Sequence, residues 1–224
     1  MEAWKVRLRQ PSSKLVGTGG QVLSTLQVVF DASPDISESG SVNYKQIEPI
    51  HAPGGILVYT NTPARSFQIS NIKLFSRTRE EATINYHRLQ ILKSWRYPVF
   101  GTPDNDPNYG NVLLGAPPSV LEFSAYAKPN GDAASGMATG LIHRVPVVIT
   151  QLGIDYPSDT DYIPTMAGMG NSSIFGTEEY NHIPDGIPMP IILPISITLT
   201  EAQAPSNMLR FSLTDFRRGR LDGF

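Results

Sequence analysis

Residues 191–200 read IILPISITLT, and the alternation in them decides the fold class. Ile191, Leu193, Ile195, Ile197 and Leu199 fall on every second position, with Ile192, Pro194, Ser196, Thr198 and Thr200 between them. Successive side chains of a strand point to opposite faces, so the segment predicts a β-strand with one aliphatic and one mostly hydroxylated face. The aliphatic face packs a core. The other carries no charge until Glu201, which suits a surface that meets another subunit or lines a narrow wet channel. The same pattern also fits an ordinary half-buried antiparallel strand. The segment holds no catalytic motif.

The chain has 224 residues, 40% of them hydrophobic, enough to bury a core as one large β domain or at most two small ones. Its net charge of −2 creates no bulk field toward nucleic acid or an anionic membrane. Cysteine is absent, which leaves no disulfide framework, thiol nucleophile or thiolate metal site and fits assembly in a reducing cytoplasm. The opening MEAWKVRLRQPSS is charged from its second residue and does not read as a secretion signal. The best apolar run, Ile187 to Leu199, is cut by Pro188, Pro190 and Pro194 and falls short of the roughly 20 residues of a membrane span. Nineteen Gly and nineteen Pro with only 17% charged residues predict strands joined by many turns.

Outward from residues 191–200, further strands are expected at Gln21–Phe30, Ile56–Tyr59, Arg65–Phe75, Val120–Tyr126 and Val145–Ile154, the second and third reading as a pair. In RSFQISNIKLF the apolar phase slips from Phe67 and Ile69 to Ile72 and Leu74, which predicts a bulge or a strand covered on both faces. One helix stands out. Thr78 and Glu81 fit a capping box, Ile84, Arg88, Ile91 and Trp95 recur at helical spacing with Leu89 and Leu92 beside them, and Pro98 ends the segment. One face is expected on a sheet, with Glu80, Asn85 and Lys93 toward solvent. The reading is of one domain over residues 1–224, without repeat or linker, with long loops near 31–55, 101–118, 128–142 and 155–186.

Motifs for chemistry are sparse. No Gly-Lys-Ser/Thr triplet completes a phosphate loop, and Val22 stands where a dinucleotide fingerprint begun at Gly17 needs its third glycine. His51, His87, His143 and His182 are scattered, and no Gly-x-Ser-x-Gly elbow occurs. Asp104, Asn105, Asp106 and Asn108 resemble a calcium loop until its twelfth position, which is Gly115 rather than Glu. Asp155, Asp159 and Asp161 could converge on a cation, though turn positions account for them more simply. Glu178 and Glu179, being adjacent, point apart in an extended segment. Arg217, Arg218 and Arg220 form the one dense basic cluster, and with Leu221 and Phe224 they have the make-up of an interface: aromatic anchors plus guanidinium forks.

Several segments in order carry a family resemblance: RSFQISNIKLFSRTREEA (65–82), SWRYPVFG (94–101), GAPPSVLEFSAY (115–126), VPVVITQLGIDYPSDTDYIPT (145–165), PMPIILPISITLTEAQAPSN (188–207) and FSLTDFRRGRLDGF (211–224). From Arg65 onward the chain resembles the tube-initiator proteins at the baseplate-to-tube junction of contractile-tailed, T4-like bacteriophages. The resemblance implies a tail-tube fold, an antiparallel β-sandwich or barrel with a flanking helix, six copies of which close into a ring around the DNA channel. It implies a structural virion component rather than an enzyme, without cofactor or metal. Its partners would be further copies of itself, baseplate hub, tail-tube and sheath-initiating proteins, and DNA passing without specific binding. Ser196, Thr198 and Thr200 would face the channel or a neighbouring subunit, where phosphates slide best past few Lys or Arg. Assembly would take place in the host cytoplasm, with no membrane insertion. The major tail-tube protein is the near alternative. A β-sandwich carbohydrate-binding module or hydrolase, with its site within Asp155–Gly186, is the distant one.

Overall fold

The alternation at residues 191–200 becomes the middle of a curled sheet. The structure is a computed structural model that describes residues 5–16, 22–48, 50, 54–98, 117–127, 140–166, 185–218 and 223–224. Among them eleven strands run in chain order: β1 Val6–Val16, β2 Val22–Phe30, β3 Asp35–Ser39, β4 Asn43–Ile47, β5 Ile56–Asn61, β6 Ser66–Phe75, β7 Leu121–Ala127, β8 Gly140–Ile154, β9 Tyr162–Pro164, β10 Pro188–Pro190 and β11 Ile192–Glu201. Three helices join them, α1 Arg79–Ser94, α2 Pro205–Met208 and α3 Leu213–Arg217. Seven strands form one antiparallel sheet in the order β2-β1-β7-β8-β11-β6-β3, while β9–β10 and β4–β5 are separate two-stranded ribbons. The protein is thus mainly β with one long helix. It is neither a sandwich of two large sheets nor a closed barrel, because a single sheet supplies the core and its end strands β2 and β3 do not pair.

The sheet nevertheless curls. β2, at one edge, touches β6, next to the other. Inside the curl the rings of Phe67 on β6 and Phe123 on β7 meet with centroids 5.4 Å apart, although β8 and β11 separate their strands. Leu193, Ile195, Ile197 and Leu199 of β11 are all buried in this core, at about 1.5–3 kcal/mol for each fully buried side chain.

Bulges allow the curvature. Between β11 and β6 the register steps from Ile195↔Ile72 to Ile197↔Ile69, so β6 holds one extra residue where the sequence slips phase. Asn71 in that step has φ 57°, the left-handed region that Asn adopts more readily than most residues. A second bulge lies between β7 and β8, where Arg144 takes φ 48° and its backbone N–H donates to Ser124 Oγ at 3.1 Å.

Helix α1 begins at the expected cap: Thr78 Oγ1 accepts the Glu81 N–H at 3.2 Å, and the Glu81 carboxylate accepts the Arg77 N–H at 2.8 Å. Its packing differs from the expected single face. The helix touches β2 and β6 and also β9 and β10, so Thr83 and His87 are buried along with Ala82, Leu89 and Leu92. Asn85, expected in solvent, is 3% exposed and donates to Phe75 O at 2.7 Å and Ser76 Oγ at 3.0 Å. It satisfies the chain where β6 turns into the helix, which a periodicity reading cannot anticipate.

Three of the expected loops contain strand residues. The stretch 31–55 contains β3 and β4, and β5 pairs with β4 rather than β6, which pairs with β11 and β3. The residues of β4 are all exposed, so its sequence shows no buried face to signal a strand; β5, expected as a strand over Ile56–Tyr59, is exposed too and takes a different partner from the one expected. β8 starts at Gly140, inside the expected loop 128–142, and β9 lies inside 155–186. Residues 101–116, 128–139 and 167–184 of those loops lie outside the described residues.

Candidate interaction surfaces

The face of the sheet opposite the core is the first candidate. Cross-strand registry places Thr198 between Gln151 of β8 and Gln68 of β6, with Ser37 of β3 beyond Gln68. One step along, Thr200 stands between Val148 and Ser66, with Ser39 beyond, and the hydroxyls of Ser39 and Ser66 are 2.7 Å apart. Ser196 lies beside Gly153, where a Cβ would come within 2.5 Å of its Oγ, so the glycine leaves that hydroxyl its place. Ser196 is exposed, and Thr198 and Thr200 are half-buried. The structure therefore brings the three predicted hydroxyls together on a surface four strands wide that is mainly Ser, Thr and Gln, with Val148 beside Thr200 and the exposed Lys73 beside Pro194. The other half of the same face differs from the expectation of few cations. Arg7 and Arg9 of β1 lie there, with Arg9 4.0 Å from Glu122 of β7.

The second candidate is a groove of about 550 Å³ at the end of the central strands, which the sequence reading missed. One wall is the root of the β4–β5 hairpin, from Tyr59 to Ala64, and the other is Met208, Phe211, Phe216 and Phe224. Arg65 and Glu201 sit at its base, one just before β6 and one at the end of β11. Arg65 forks onto Glu201 at 2.8 and 3.2 Å and reaches Glu38 at 2.9 Å, while its guanidinium lies 5.5 Å from the Phe67 ring centre. Burial pushes the Glu201 carboxyl up; hydrogen bonds from Arg65 and Gln203 and the charge of Arg65 more than offset this and hold it below its usual value. The signal was present in the sequence: Glu201 is the first charge after the alternating run.

The predicted C-terminal interface residues lie around this groove. Arg217 ends α3, Arg218 caps it, and both are exposed. Phe224 is half-buried, with its ring centre 5.2 Å from that of Phe211, and Gly223 is tied down by a bond from its N–H to His143 O at 3.2 Å and another from Gln203 Nε2 to its carbonyl. Arg220 and Leu221 lie outside the described residues. Residues 203–218 and 223–224 thus fold back as a strap, although α2 and α3 bury none of their residues.

Little in the described residues gathers for chemistry. Asp155, Asp159 and Asp161 are all exposed, and no three His, Asp or Glu among the described residues gather to hold a metal ion. Asp104, Asp106, Glu178 and Glu179 lie outside them. Trp95 is 4% exposed and donates from Nε1 to Gln10 Oε1 at 2.9 Å, so its ring is not available as a sugar platform. No helix among the described residues is long and apolar enough to cross a membrane. Comparison with known protein families and with curated proteins finds no match to this chain.

Proposed function

We propose that this chain is a structural, non-enzymatic component of a contractile bacteriophage tail: a ring-forming tube initiator that links the baseplate hub to the tail tube and lines the DNA channel. The observation that carries the reading is an open, curled sheet whose end strands, among the described residues, are β2 and β3, with a hydroxyl-rich face away from its core. Every neighbouring pair in the sheet is antiparallel, so β2 and β3, first and seventh in order, run in the same direction. A rotational ring preserves direction, so β2 of one copy would meet β3 of the next in parallel and remove both exposed edges. The half-face of Ser37, Ser66, Gln68, Ser196, Thr198 and Thr200 would turn to the channel, where hydroxyls and amides let phosphates pass without an ion pair. Six copies, assembled in the host cytoplasm on the hub, would then template tube and sheath. Electron cryo-microscopy of tail particles tests this: six copies around the channel with β11 at the lumen is the expected outcome. A lone copy at the periphery overturns it.

A further inference from the structure

The strap side of the groove is a segment that the body holds loosely. Among the described residues, every backbone hydrogen bond donated from 207–218 to a carbonyl ends within residues 204–216, so the segment bonds to itself. The Asp215 N–H likewise donates to Ser212 Oγ, and no described ion pair includes a residue of 204–218. Neither α2 nor α3 buries a residue. What the segment offers the groove is the side chains of Met208, Phe211 and Phe216. Few buried contacts and no described hydrogen bond into the sheet put it at the low end of local stability.

Its two ends are tied at one place, beside the β7–β8 bulge. There Phe123 faces Val145 and Ala125 faces Ile142, so Ser124 alone stands opposite His143 and Arg144. The pairing of β8 with β11 stops at Val147, opposite Glu201. Just beyond it, Pro146 O accepts the Ala202 N–H at 2.8 Å, and His143 O accepts the Gly223 N–H at 3.2 Å. Gln203 joins the two ends. Its Nε2 donates to Glu201 Oε1 at 2.9 Å and to the carbonyl of Gly223, 20 residues on. Its Oε1 is buried without a partner among the described residues, so the two donations are what fix the amide. Gly223 takes φ 83°, and a Cβ there would stand 3.3 Å from Arg144 O, so glycine is the residue that fits. Phe224 then sets its ring centre 5.2 Å from that of Phe211, which lies 5.8 Å from that of Phe216.

We propose that Gln203 and Gly223 form a buckle that holds residues 204–218 shut along the groove, and that releasing it lets the segment swing off the body as one unit. In the closed form described here, Met208, Phe211, Phe216 and Phe224 wall in Arg65 and Glu201. In the open form that wall is gone. Water then reaches the Arg65–Glu201 pair, whose guanidinium also holds Glu38 of β3. The device lies within one chain, so it does not depend on the tail reading, and either can fail without the other.

The chain has no cysteine, so two introduced ones can carry spin labels. Leu209→Cys places one on the strap, where Leu209 is 89% exposed and outside the groove lining, and Gln151→Cys places the other on the exposed side of β8. Pulsed electron spin resonance on this labelled chain should give one narrow distance. Gly223→Val, strained at its φ, and Gln203→Leu, which has no N–H to donate, should each raise the population of a second, longer distance at least tenfold. The thermal unfolding midpoint should stay unchanged in both. The wild-type distance alone in either variant overturns the buckle. A broad distribution before either substitution overturns the closed form. A midpoint that drops in both variants makes the tie part of the body's fold and overturns the device as well.

Discussion

Asn71 shows how one residue sets the line of a strand. It takes φ 57° within the bulge that shifts β6 by one place, and its side chain donates to Asp35 Oδ2 at 3.4 Å. A β-branched residue there clashes with its own backbone, so Asn71→Val should cost about 1–2 kcal/mol in urea unfolding, while Asn71→Gly keeps the midpoint near the wild-type value. Trp95 acts through burial instead. Trp95→Ala should cost about 3–5 kcal/mol through lost contact and the cavity left behind, and it strands the Gln10 carbonyl. Chemical unfolding measures it, and a loss below 1 kcal/mol would contradict the packing described. Both residues were visible beforehand, one as a phase slip in the alternation and the other on a helical stripe. Asn85 was not, because a buried amide that caps a strand-to-helix turn looks in sequence like any polar helix residue.

At the scale of elements, β11 and its neighbours are tied at one end by Arg65, Glu201 and Glu38. A carboxyl held below its usual value contributes stability above that value, about 4.3 for Glu, and loses it as pH falls through the lower folded-state value. Asp31 has the same sign: burial raises it, but hydrogen bonds and charge from Arg88 and Lys5 outweigh burial and lower it. Stability should therefore hold steady from neutral pH to about 5 and fall below it. Glu201→Gln should lower stability at neutral pH by about 1–2 kcal/mol and flatten part of that acid limb. Thermal unfolding against pH checks both, and an unchanged acid limb in Glu201→Gln removes the ion pair from the account. The strands β6, β7, β8 and β11 were legible because each shows a buried face in its pattern. β3 and β4 were hidden because nearly all their residues are exposed and leave little alternation to read, and β5, expected at Ile56–Tyr59, was given β6 as partner in place of β4.

At the scale of the whole molecule, the described residues divide into a packed body and exposed apolar surfaces. Among the described residues the buried hydrophobic cluster contains none after Leu199, so the described part of the strap does not belong to it. Removing residues 217–224 should leave the body folded, with the unfolding midpoint changed by no more than a surface substitution would change it. It should also break the Phe211–Phe224 contact and the Gly223 ties, open the groove and lower assembly into particles. Thermal unfolding beside a particle-assembly assay tests this, and assembly at wild-type yield would return the strap to the status of a chain end.

The sequence by itself determined the strand at β11, the bulge in β6, the cap and length of α1, and the hydroxyl row of Ser196, Thr198 and Thr200. Each depends on neighbours a few residues apart, through strand alternation, helical period or a capping hydroxyl. Tertiary structure alone decided that one curled sheet replaces a sandwich, that Arg7 and Arg9 share the hydroxyl face, and that Arg65 meets Glu201 across 136 residues. It also decided that hairpin root and chain end enclose one groove. The physical reason is the same in each case. Strand order and long-range ion pairs are set by which surfaces fit once the core closes, and local sequence carries no record of that fit.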